Sequence, residues 1–251
     1  MPSIDLNCDL GESFGAYTVG MDSAVIPYIT SANVACGYHA GDPLVMQKTV
    51  AACKASGVHI GAHPGYPDLM GFGQRNITAT PAEIKAYVQY QVGALSAFCA
   101  AAGVPLCHVK PHGAMYNMAA KDEALARAIC EGILEVNPAL TLLALSGSAM
   151  VRAARELGLG VKSEVFADRG YQADGTLVPR GRPGAMITDE DEAIARVIRM
   201  AKEGVVRSVD GMDVPLVSDS VCVHVDGEKA LAFVRRIRAA LTDAGIEVRA
   251  L

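Results

Sequence analysis

Six short polar clusters, each closing an apolar run, hold the residues that could do chemistry. They are Asn7, Asp9 and Glu12; His39 and Asp42; His63 and Asp68; Lys110 and His112; Asp168 and Arg169; and His224 and Asp226. Five of the six histidines fall at or near such a position, counting His108 two residues before Lys110, whereas His59 begins its run and reads as structural. One histidine in such a place is more often a hydrogen-bonded packing residue than a catalyst. Five at equivalent places of one repeat are hard to explain as packing. Two chemistries fit. Asp9, His39 and His63 could converge as ligands of a divalent metal that keeps a position open for water. Alternatively Asp9, His63 and His112 act directly as general base and acid on a water, with Lys110 balancing developing charge. Spacing alone does not decide between them. Cys8 and Cys36 fit buried thiols better than nucleophiles.

The elements that must position these groups follow one beat of short apolar strand, polar turn and helix. The opening run is the pattern's clearest member: Ile4, Leu6 and Cys8 alternate with Asp5, Asn7 and Asp9, so one strand face is apolar and the other polar. Gly11 allows a sharp exit that lets Glu12 turn back over the strand end. Further strands are expected over 31–36, 58–62, 106–109, 140–145, 161–166 and 221–225, with a short strand at 247–251 and an antiparallel excursion around the Asp210-Gly211 turn signal. Asp42-Pro43 and the Thr80-Pro81-Ala82-Glu83 capping box start helices. Ser146-Gly147-Ser148 reads as a cap, since it does not match a G-x-S-x-G elbow. Strands alternating with helices imply a parallel sheet, and seven or eight of them imply a closed β/α barrel filling residues 1–251 as one domain. No G-x-G-x-x-G follows a strand, which argues against an open doubly wound sheet.

Composition narrows the partners. A net charge of −5 with no basic run disfavours nucleic acid and anionic membranes. No apolar stretch nears the roughly 18 residues of a membrane span. Seven scattered cysteines without a CxxC pair read as reduced thiols, and a strand beginning at residue 4 leaves no room for a leader, so a cytoplasmic location is expected. The loop from Asp168 to Ala185 carries Arg169, Tyr171, Arg180 and Arg182. Long loops in compact domains often bind or close over ligands, and Arg forks suit a carboxylate. No G-x-x-x-x-G-K-[ST] exists, so any ATP chemistry would involve another subunit or an unfamiliar site.

Five motifs together resemble the LamB/YcsF family, to which the A-subunit of the prokaryotic ATP-dependent 5-oxoprolinase belongs. They are Asp5-Leu6-Asn7-Cys8-Asp9-Leu10-Gly11-Glu12, Ala35-Cys36-Gly37-Tyr38-His39-Ala40-Gly41-Asp42, Gly61-Ala62-His63-Pro64-Gly65-Tyr66-Pro67-Asp68, Val109-Lys110-Pro111-His112-Gly113-Ala114-Met115-Tyr116-Asn117 and Phe166-Ala167-Asp168-Arg169-Gly170-Tyr171. Gln74 and Val225 depart from the family pattern. The resemblance implies a seven-stranded barrel like those of glycoside hydrolases and deacetylases. It also implies cleavage of 5-oxoproline to glutamate coupled to ATP hydrolysis in a complex with subunits B and C. On this reading Asp9, His63, Lys110 and His112 are catalytic, while Asn7, Glu12, His39, Asp42, Arg169, Tyr171, Arg180, His224 and Asp226 bind substrate. The competing expectations are a metal-dependent deacetylase or carbohydrate hydrolase, and a carrier or regulatory subunit without catalysis of its own. A homo-oligomer stays open.

Overall fold

The computed structural model describes residues 2–223 and 228–251. The chain runs β1 (Ser3–Leu10), α1 (Asp22–Val25), β2 (Ser31–Ala35), α2 (Pro43–Ser56), β3 (His59–His63), α3 (Pro81–Ala102) and β4 (Leu106–Val109). It continues through α4 (Gly113–Ala119), α5 (Glu123–Val136), β5 (Thr141–Leu145), α6 (Ala149–Leu157), β6 (Gly160–Phe166) and α7 (Glu190–Glu203). The hairpin β7 (Val205–Arg207) and β8 (Asp213–Pro215), then β9 (Ser220–Cys222), α8 (Glu228–Asp243) and β10 (Glu247–Val248) complete it. Strands β1 to β6 and β9 pair in parallel, and β9 pairs with both β6 and β1, so seven strands close a barrel among the described residues. β10 adds a short parallel edge beside the start of β1, and β7–β8 form a separate antiparallel pair.

Local chemistry explains the boundaries. Asp42 accepts from the Leu44 and Val45 amides and Pro43 opens α2. Both halves of the Thr80–Glu83 capping box are formed, a cap contributing about 1 kcal/mol. Ser148 does occupy the N-cap of α6, but its hydroxyl makes no capping bond, which corrects the expected role of that triplet. The short helix α4 is unforeseen in the sequence: its seven residues follow Pro111 and begin with a glycine, which mask a helical period.

Barrel closure puts the alternation of β1 to use on both faces. Ile4, Leu6, Cys8 and Leu10 join the apolar shell, while Asp5, Asn7, Ser31, Asn33, His108, Glu164 and Ser220 are buried at 3% exposure or less. Barrel interiors are usually filled by layers of branched aliphatics; this one is filled by hydrogen bonds. Asp5 accepts from Thr30, Ser31 and Ser220. Above it, Asn7 donates to Glu164 and Ser220, Asn33 donates to Asn7, and the His108 ring meets Asn33 Oδ1 at 2.7 Å. Gly61 makes that layer fit, since a Cβ there would lie 2.1 Å from the His108 ring.

Candidate active site

The mouth of the barrel, at the C-terminal strand ends, is where such enzymes place their chemistry. A cavity of about 220 Å³ opens there, walled by Asp9, Glu12, His63, Lys110, His112 and Arg180 among others. That is small beside the roughly 300–1,000 Å³ of drug-sized sites. An adjoining cavity of about 420 Å³ shares Gln74, Asn117, Arg169, Leu177 and Arg180 with it.

Lys110 is the electrostatic centre. Its Nζ lies 3.0 Å from Asp9 Oδ1, 2.9 Å from Glu164 Oε1 and 3.2 Å from Asn7 Oδ1, and it also contacts Cys222 Sγ. Burial pulls its pKa down, but Asp9, Cys222 and Glu164 outweigh burial and hold it well above the usual lysine value. The ammonium is therefore a fixed positive charge at the cavity floor. Asp9 Oδ1 also accepts from Asn33 at 2.8 Å, which leaves Oδ2 facing His63 Nε2 at 3.3 Å.

Above Asp9 the histidines gather. His63 Nδ1 lies 2.7 Å from the Lys110 carbonyl, and His112 Nε2 lies 2.8 Å from the Phe72 carbonyl. A carbonyl only accepts, so each of those nitrogens carries the proton and the neutral ring's other nitrogen presents a lone pair. Those two lone-pair nitrogens, His63 Nε2 and His112 Nδ1, stand 2.9 Å apart. His39 stacks on His112 with centroids 3.7 Å apart, and its Nε2 is 3.6 Å from Glu12 Oε1. Burial, then His112 and His63, pushes the His39 pKa well below the usual value, and burial with His63 takes His112 down to about 3. The loop supplying Phe72 is pinned: Arg75 forks onto Asp68, which also accepts from the Gly71 amide. Phe72 itself takes the left-handed backbone (φ 53°), and Gln74 Nε2 lies 3.3 Å from His112 Nε2.

Several expected site residues sit elsewhere. Asn7 lies beneath the cavity with its amide engaged by Glu164, Ser220 and Asn33, so it supports Lys110 from below. Asp42 caps α2 with one oxygen and accepts from the Gly15 amide with the other. Tyr171 is buried, its hydroxyl accepting from the Phe166 amide, and it walls neither cavity. Arg169 reaches the cavity wall, yet its Nε and Nη2 donate to the Ala185 and Val178 carbonyls, which ties the loop together. Arg180 is exposed and walls both cavities. Of the three expected metal ligands, His39 and His63 join Glu12 and His112 in a group whose donor atoms lie within 4.8 Å of one another, whereas Asp9 falls outside it. His224 and Asp226 lie outside the described residues. The chain-order reading missed Glu164, Asn33 and Tyr116, whose hydroxyl donates to Glu164 at 2.7 Å. A charged or amide residue inside an apolar strand run was the available signal for the first two.

The sequence model of the LamB/YcsF family matches residues 4–251. The 5-oxoprolinase A-subunit of Clostridium beijerinckii is 61% identical over 248 residues, covering 99% of this chain and 97% of the relative. That of Bacillus subtilis is 55% identical over 251 residues, covering 100% and 98%. Among solved structures, the lactam utilization protein of Thermus thermophilus superposes with a TM-score of 0.94 at 46% identity, over 99% of this chain and all of that one. An Enterococcus faecalis protein described as a putative cellobiose-phosphate cleavage protein shares the fold alone, at a TM-score of 0.57 and 12% identity over 98% of this chain and 96% of that one.

Proposed function

This chain belongs to the LamB/YcsF family, and from that premise we propose that it opens the ring of 5-oxoproline to glutamate, as the hydrolytic component of an ATP-coupled complex with subunits B and C. The observation that carries the reading is the cavity in which a carboxylate, a fixed ammonium and paired imidazoles converge, in a chain similar end to end to proteins named as the A-subunit of 5-oxoprolinase. Opening a lactam breaks the C–N bond: a water oxygen adds to the carbonyl carbon, and the ring nitrogen leaves with a proton. Asp9, which walls the cavity with its Oδ2 3.3 Å from His63 Nε2, orients that water and takes its proton. Lys110 stabilises the negative charge that develops on the carbonyl oxygen. Arg180, exposed at the wall, pairs with the substrate carboxylate.

A lactam is a stable amide, which gives ATP its purpose: phosphorylation of the ring oxygen by the partner proteins would make the carbonyl carbon easier to attack. With no phosphate-binding motif of the P-loop kind in the sequence, that step falls to the partners. This chain adds water to the activated carbon, the ring nitrogen leaves with a proton to give an acyl phosphate, and a second water cleaves that to glutamate and inorganic phosphate. The test measures glutamate and phosphate release from 5-oxoproline and ATP by the chain alone and after adding subunits B and C. Negligible turnover alone and restored turnover in the mixture is the expected result. Robust ATP-driven turnover by the isolated chain would overturn the division of labour, and hydrolysis of acetylated sugars in its place would favour a deacetylase.

A further inference from the structure

The group formed by Glu12, His39, His63 and His112 contains two contacts that do not balance as neutral side chains. As neutral rings, His63 and His112 would each place their ring proton on a backbone carbonyl, of Lys110 and Phe72 respectively. Their remaining nitrogens face each other at 2.9 Å, lone pair against lone pair. His39 is 0% exposed, and neither of its ring nitrogens has a hydrogen-bond partner among the described residues, a costly state for a buried polar group. Glu12 completes the circle, its Oε1 lying 3.6 Å from His39 Nε2 and 3.8 Å from His112 Nδ1. A positive centre between these four groups resolves both contacts at once.

We propose that Glu12, His39, His63 and His112 bind one divalent transition cation of the zinc class. Three imidazoles and a carboxylate are borderline donors, which favour zinc, cobalt or nickel over magnesium or calcium, whose shells are built of oxygens. Bonds of about 2.1 Å in a tetrahedron put donors roughly 3.4 Å apart, and the separations of 2.9, 3.6 and 3.8 Å bracket that value. The two carbonyl bonds already fix the His63 and His112 tautomers in the form that ligates, the usual outer hydrogen bond of a metal-bound imidazole. Closing the shell requires His39 to turn out of its stack on His112, because parallel rings do not aim their lone pairs at one point. Asp9 stands outside the shell, beside Lys110.

The experiment uses the full-length untagged chain, stripped with a chelator and titrated with zinc or cobalt alone by calorimetry and visible absorption. Expected are one equivalent of cation per chain, a raised melting temperature and the intense cobalt absorption of a tetrahedral site. His112→Ala should lower affinity by more than the 10–100-fold that loss of an outer partner costs. Glu12→Gln, on a partly exposed side chain, should lower it by at least about tenfold and stays informative if the buried His112 variant fails to fold. Asp9→Asn should keep the full equivalent. Wild-type protein that takes up no cation, or uptake unmoved by Glu12→Gln, overturns the proposal. Nitrogen-15 imidazole shifts showing one proton shared between His63 and His112 in metal-saturated buffer would do the same. No substrate or partner enters the titration, so its failure leaves the ring-opening reading standing, and the converse holds.

Discussion

The lower lumen of the barrel and its mouth are built from the same strands and the same kinds of residue, yet they differ in one property. In the lower layers polar groups satisfy one another: Asp5 is held by three hydroxyls, and Asn7, Asn33, His108 and Glu164 form a closed net. At the mouth, two residues further along β1, Asp9 stands beside His63, and His39 keeps two ring nitrogens without hydrogen-bond partners among the described residues. Satisfied polar groups rigidify a structure, whereas groups with unused bonding capacity are available to a ligand. The comparison separates support from chemistry better than residue type does.

The strongest way to break it is at the boundary between the layers. Glu164→Gln removes a carboxylate lying 2.9 Å from a fully buried ammonium, and breaking such a pair costs about 3–5 kcal/mol. Denaturant unfolding of the variant should show that loss; an unchanged midpoint would mean that Asp9 alone suffices to hold Lys110. At the mouth a second effect is added. Asp9→Asn also takes a carboxylate from the Lys110 ammonium, 3.0 Å away, and so should lower stability as Glu164→Gln does, but it should in addition lower turnover of the assembled complex by roughly 10²-fold or more. Cation content measured in the same sample sharpens the result: full content with lost activity assigns Asp9 to the water, and content lost together with activity makes it a ligand.

The two arginines of the Asp168–Ala185 loop differ in burial, Arg169 being buried and Arg180 exposed. Arg169→Ala strands two carbonyls that it now serves, and should cost about 2 kcal/mol or more in stability. Arg180→Ala should shift stability by no more than about 0.5 kcal/mol while raising KM for 5-oxoproline about tenfold, the scale of a lost hydrogen bond to a charged group. Similar behaviour of the two variants in both assays would erase the distinction.

A further test is read from pH. Burial, then Lys110, takes His108 down to about 3, against about 6.5 in an unfolded chain. Above about 6.5 both states are neutral and the group contributes no pH dependence. Below it the unfolded state binds a proton that the folded state refuses, so stability falls with pH by up to about 1.4 kcal/mol per unit. The stability gap between wild type and His108→Gln should therefore shrink from about pH 7 to about pH 5, and parallel curves would show that His108 titrates normally.

Most strand and helix positions were legible in the chain itself because their causes are local: alternation in β1, the Asp42 and Thr80 caps, and the Asp210-Gly211 turn lie within a few residues of what they determine. Strand ends differ by a residue or two, as at β3, where pairing carries the strand on to His63. The clustering of His39, His63, Lys110 and His112 was legible for the same reason, since each ends a strand or follows one in a repeating unit whose strand ends meet.

Which polar residues would be satisfied by others was not legible in the same way. Asn7 and Glu164 are 157 residues apart, and Asp5 and Ser220 are 215 apart, yet barrel closure through β9 brings each pair into hydrogen-bond contact. Asn7, Asp42, Tyr171 and Arg169 look like ligand-binding residues in a linear reading because the groups that engage them are backbone amides and carbonyls or come from other strands. Glu12, expected from the sequence to turn back over the strand end and bind substrate, is carried past the end of β1 by Gly11 (φ 70°) into a circle of three histidines from three other segments. Periodicity and capping act over a few residues, so the order of amino acids was enough to set the barrel and the end of it that carries the polar groups. Which of those groups keep bonding capacity to spare was settled only in three dimensions, since a hydrogen bond depends on partners that closure of the sheet supplies.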